Sequence, residues 1–114
     1  MRLNETAVNK AKKLIKNHQY VLESEWSEAQ ASGEDENKFL KHHDWDEYGQ
    51  WFLAIDTQTS AETKDRFKFP FGDFRRLHRS GLIAAKQRAA QYGYNNIQKV
   101  ADDLLQLLEE TRAD

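Results

Sequence analysis

Nine of the thirteen aromatic residues lie between Phe39 and Phe74. A chain that concentrates its largest apolar side chains in one stretch must build its core around that stretch. Two runs inside it read as strands. Gln50 to Asp56 sets Trp51, Leu53 and Ile55 on one face and Phe52 and Ala54 on the other. Asp65 to Phe71 sets Phe67, Phe69 and Phe71 against Arg66, Lys68 and Pro70. Pro70 has no N–H, so the second strand lies at an edge or ends there. The pair predicts an antiparallel hairpin with strands near 50–56 and 65–71. A lone hairpin is marginal in water, so helices must cover it. The connection, Thr57 to Lys64, reads as a turn capped by Thr59 with Glu62 three residues on.

The flanking segments supply those helices. Val8, Ala11, Leu14 and Ile15 recur at helical spacing from Asn4 to about His18, with Asn4 as the N-cap. Residues 19–31 are irregular: Tyr20 to Leu22 reads as a short extended piece, Ser27-x-x-Gln30 as a single capped turn, and Trp26 as a core anchor. Ser32 caps a short helix ending near His43, with Asp44 capping the loop beyond. Ser80 caps a third helix running to Gln91, and Gly93 fits its C′ position. Asn95 with Gln98 resembles a capping box opening the last helix. Its wide stripe contains Ile97, Val100, Ala101, Leu104, Leu105, Leu107 and Leu108. Part of that stripe is a candidate homodimer seam. The expected fold is a single α+β domain over residues 1–114, mostly α, with about four helices packed around one antiparallel β-hairpin.

Composition narrows the function classes. Leu, Ile, Val and Phe make up 24 of 114 residues, a core just large enough to fold. No Cys is present, which excludes disulfides, thiolate metal sites and a Cys nucleophile. No run approaches the ~18 apolar residues of a membrane span, and the first residues lack the apolar core of a signal peptide. The expectation is a soluble, cytoplasmic protein that does not enter membranes.

The formal charge of −2 conceals segregation. Residues 1–19 carry +4, residues 20–48 carry −7, and residues 64–88 carry +6. Either the opposite blocks face each other on the folded surface, or the basic 64–88 block docks an anion. Its candidate anion- or partner-binding residues are Arg66, Lys68, Arg75, Arg76, His78 and Arg79.

Three runs carry a resemblance: Trp51-Phe52-Leu53-Ala54-Ile55-Asp56, Arg66-Phe67-Lys68-Phe69-Pro70-Phe71-Gly72-Asp73, and His78-Arg79-Ser80-Gly81-Leu82-Ile83-Ala84-Ala85. The pattern resembles one found in small bacterial proteins of uncharacterised function. It is loosely similar to a segment of tailed-phage head-maturation-associated proteins. The resemblance covers roughly residues 45–108 and implies an accessory module without a protease's catalytic region.

Chemistry has few other candidates. His42, His43 and Glu47 are weak candidates for metal ligands, because adjacent helical side chains point about 100° apart. Ser80 beside His78 invites a nucleophile reading, which sequence neighbours rarely satisfy. No P-loop, nucleophile elbow or dinucleotide fingerprint occurs. The chain is therefore expected to be no enzyme and to need no cofactor. The leading expectation is a non-catalytic interaction or accessory module with a protein partner or a second copy. The alternative is a nucleic-acid-binding accessory protein using residues 64–88.

Overall fold

A computed structural model describes residues 1–113 as a compact α+β domain. Its elements are β1 (Arg2–Leu3), α1 (Glu5–Lys16), β2 (Tyr20–Val21), α2 (Trp26–Ala29), α3 (Gly33–His42) and α4 (Trp45–Gly49). There follow β3 (Phe52–Ile55), a 3-10 turn (Lys64–Arg66), β4 (Phe67–Pro70), β5 (Leu77–His78), α5 (Arg79–Gln91) and α6 (Asn95–Arg112). Among the described residues no helix is long and apolar enough to cross a membrane.

The expected hairpin is present, with strands shorter than the expected 50–56 and 65–71, and it belongs to a three-stranded sheet. β3 pairs antiparallel with β4, Ala54 opposite Lys68 and Phe52 opposite Pro70. On its other side β3 pairs with β1, Leu3 opposite Ala54, so β3 is the centre of three strands and β4 an edge. Phe52, Leu53 and Ala54 are all buried, because helices and loops cover both faces of the sheet. A second, two-stranded parallel pair joins β2 to β5, with Tyr20 opposite Leu77.

Six helices occur among the described residues, not about four. Two are short additions. Asp44 accepts the Glu47 N–H and Glu47 faces the Asp44 N–H, a capping box that starts α4. His43 is extended between α3 and α4, so the two helices stay separate. α2 is a single turn whose N-cap is Glu25, not Ser27. Ser32 does cap α3, in a box with Asp35. The Ser32 N–H and hydroxyl hold the exposed Asp35 carboxyl below the usual carboxylate range.

Other caps differ from expectation for identifiable reasons. Asn4 stands at the N-cap of α1, yet its side chain caps nothing. It is buried, and Nδ2 donates to the carbonyls of Gly49 at 2.9 Å and Phe52 at 3.0 Å. Pro70 lies opposite Phe52 and has no N–H to offer it. α5 follows β5 directly, so His78 is its N-cap and Ser80 lies in the first turn. α6 begins after Tyr94, whose N–H is already tied to Ala89 O, so Asn95 is helical and caps nothing. Gly93, at φ +72°, closes α5 as expected: its N–H reaches Ala90 O and the Tyr94 N–H reaches Ala89 O, a Schellman motif. Thr59 Oγ1 donates to Asp56 O and starts no helix.

α5 and α6 pack on each other, and α1 lies against both α6 and β3. Ile97, Ala101, Leu104 and Leu108 are fully inside, while Val100, Leu105 and Leu107 pack partly buried on the same core. The wide apolar stripe of α6 is thus largely consumed within the chain.

Candidate binding groove

A groove of about 510 Å³ lies between the free edge of the sheet and α5. β4 contributes Phe67, Lys68, Phe69 and Pro70, and α5 contributes Ala84, Ala85 and Arg88. The small alanines leave space that larger residues would fill. Phe69 has φ +64°, a conformation that costs a non-glycine residue about 1–2 kcal/mol. It is held there by burial and by an edge contact with Tyr94, ring centres 6.1 Å apart. Tyr94 stacks with Tyr92 at 5.9 Å, and the Arg88 guanidinium lies 6.0 Å from the Tyr92 ring.

Exposed apolar side chains mark the groove as unlike the rest of the surface. Among the described residues only Met1 and Tyr92 are large apolar side chains left exposed, and both line it. Lys68 and Arg88 also line it, and neither has an ion-pair partner among the described residues. The groove's acid, Glu36, is already engaged. It accepts the Tyr48 hydroxyl at 3.0 Å and faces Lys64 Nζ at 3.6 Å. Burial, reinforced by that carboxylate, pushes the Tyr48 phenol well above its ordinary range.

The structure divides the basic 64–88 block. Arg66 donates to Thr59 O at 3.0 Å and stabilises the loop before β4. Arg79 pairs with Glu109 at 3.1 Å and Lys86 with Asp102 at 2.7 Å, tying α5 to α6. The Lys86 hydrogen bond leads the effects that hold the half-buried Asp102 carboxyl low. Lys68 lies in the groove, and Arg75 and Arg76 are exposed in the turn before β5. The six candidates therefore form no single site.

His78 is enclosed, at 5% exposure. Its Nε2 lies 2.9 Å from Asp73 Oδ2 and its Nδ1 2.9 Å from Ser24 Oγ, which in turn lies 2.8 Å from Ser80 Oγ. Ser80 thus reaches His78 only through Ser24. The Trp26 ring lies 6.1 Å from the imidazole and covers it. The same indole ring and Phe71 O would each lie 2.8 Å from a β-carbon at Gly81. None of Ser24, His78 and Ser80 lines the groove. The array joins the segment after β2, the turn before β5 and the start of α5. Ser24 lies 54 residues from His78 and carries no local signal of this role.

His43 Nδ1 lies 2.8 Å from Glu47 Oε2, and its ring stacks on Phe39 at 4.0 Å. His42 closes α3, while His43 lies beyond it. Among the described residues no three His, Cys, Asp or Glu side chains come together as a metal site. Comparison of the chain with protein-family models, curated proteins and solved structures finds no match.

Proposed function

We propose that the protein is a non-catalytic interaction module, and that the β4–α5 groove takes an extended segment of a partner protein. The observation that carries this reading is the coincidence of the exposed apolar side chains, Met1 and Tyr92, with two cations, Lys68 and Arg88, that lack acidic partners among the described residues. Exposed apolar surface beside unpaired charge is a signature of a docking site. β4 has a neighbouring strand on one side only, so its outer edge is available to main-chain groups of an extended segment. The matching segment carries an apolar or aromatic side chain for the alanine-lined space and a carboxylate for Lys68 and Arg88.

Selection from a displayed library of random twelve-residue peptides tests this. The expected result is enrichment of acidic–apolar sequences whose binding is lost in Lys68→Glu/Arg88→Glu. No enrichment, or binders indifferent to that double reversal, sinks the proposal.

A further inference from the structure

We infer that the chain carries a second, separate binding face, for the phosphates of a nucleic-acid strand, where α1 meets the turn that holds Arg75 and Arg76. The two basic blocks of the sequence, residues 1–19 and 64–88, converge there. Lys10 Nζ lies 5.3 Å from the centre of the Trp51 ring. A β-carbon at Gly72 would lie 2.6 Å from both that ring and the Arg76 carbonyl, so Trp51 packs directly behind the turn. Gln19, just past the end of α1, accepts the Leu77 N–H at 3.1 Å, which places the end of α1 beside Arg76. Lys13 follows Lys10 by one helical turn on the same flank.

The turn is built to hold its shape. Asp73 Oδ1 accepts the N–H groups of Arg75 at 2.9 Å and Arg76 at 2.7 Å, while Oδ2 faces His78. The carboxylate is thus occupied by the turn and the imidazole. Phe74 sits at φ +69° and stacks on Phe39 with ring centres 4.5 Å apart, which anchors the tip. Both arginines are exposed. Among the described residues none of Lys10, Lys13, Arg75 and Arg76 is ion-paired, whereas Lys64, Arg79 and Lys86 are. The α1 dipole accounts for a lysine near the helix C-terminus. It does not account for two adjacent arginines outside any helix.

The chemistry favours phosphates over bases. The four cations are spread over two elements, as contacts to successive backbone phosphates require. Trp51 is buried and offers no stacking platform. Binding is therefore insensitive to sequence and steeply sensitive to salt.

The test is fluorescence anisotropy with a labelled mixed-sequence 12-nucleotide strand, and separately its 12-base-pair duplex, from 20 to 300 mM KCl. Four phosphate contacts predict a slope of log K on log salt of about −3. Lys10→Ala/Arg75→Ala/Arg76→Ala should weaken binding at least tenfold at 20 mM KCl and flatten the slope by about 2. Circular dichroism verifies that this variant is folded. Arg75→Ala/Arg76→Ala alone, whose side chains are exposed, supplies the same readout if the triple variant is not. Lys86→Ala, at a cation already paired with Asp102, should bind as the wild type does, which separates this face from the rest of the basic block. Absent binding at 20 mM KCl overturns the inference. So do equal affinity for polyglutamate, binding to phosphatidylserine vesicles in place of the oligonucleotides, or unchanged binding by the folded variants.

Discussion

The imidazole of His78 and the carboxylate of Asp73 meet at 2.9 Å across the turn that separates β4 from α5. The contact closes a four-residue turn from within and leaves both arginines of that turn outside. The second imidazole nitrogen reaches Ser24, so one side chain joins three segments. Buried polar groups that hold each other in this way become costly when one is removed.

His78→Ala should therefore destabilise the fold by about 2–3 kcal/mol, since it leaves Asp73 and Ser24 without their shared partner. Urea denaturation at pH 7 measures this. A loss below about 0.5 kcal/mol would show that water replaces the imidazole freely.

Asp73 sets a pH dependence whose sign follows from its contacts. Burial raises its pKa, but hydrogen bonds from the Arg76 N–H, the His78 ring and the Arg75 N–H outweigh burial and hold the carboxyl below its ordinary value. A carboxyl depressed in the folded state stabilises that state above its unfolded pKa, about 4. The contribution disappears as pH falls through the lower, folded value. The stability gap between the wild type and Asp73→Asn should thus be widest near pH 6–7 and shrink below about pH 3. Urea midpoints from pH 2.5 to 7 follow it, and a gap that stays constant removes the carboxylate as its source.

Two glycines make opposite predictions. A β-carbon at Gly81 would lie 2.8 Å from Phe71 O and 2.8 Å from the Trp26 ring, and the carbonyl belongs to backbone that cannot swing aside. Gly81→Ala should cost about 1–3 kcal/mol. Nothing lies within 4 Å of a β-carbon at Gly33, in the first turn of α3. Gly33→Ala should be neutral or stabilise by up to ~1 kcal/mol, through the entropy of the unfolded chain. Thermal melts of the two variants check the order, and a Gly81→Ala protein as stable as Gly33→Ala contradicts the close packing of α5 beneath Trp26.

Much of the architecture is legible in local sequence. The alternation around Trp51 and Phe69 encodes the hairpin, the stripe from Ile97 to Leu108 encodes α6, and Ser32 and Gly93 mark helix ends, because each signal depends on neighbours a few residues away. What escapes depends on distant partners. β1 exists only because Arg2 and Leu3 meet Ile55 and Ala54, and α4 separates from α3 because Asp44 finds Glu47 before the helix can continue. The candidate site shows the same division. The basic block is visible as a run of charge, but its splitting is not. Arg79 and Lys86 are taken up by acids of α6, while Arg75 and Arg76 stay exposed in the turn before β5.

Asn4 gives the sharpest separation between a local and a tertiary role. At an ordinary N-cap the side-chain oxygen accepts from the first turn, and Asp serves as well as Asn. Here the side chain donates, through Nδ2, to the carbonyls of Gly49 and Phe52. Asn4→Asp would turn acceptors toward acceptors in a buried place, so it should cost about 3 kcal/mol or more at pH 7. Asn4→Ala, which leaves the two carbonyls unpaired without adding charge, should cost less, about 2 kcal/mol. The Asp variant should also regain stability on acidification, because its protonated carboxyl can donate to one carbonyl. Denaturation of both variants at pH 7 and pH 4 decides the matter, and an Asp variant as stable as the wild type at pH 7 returns Asn4 to the role of a simple cap.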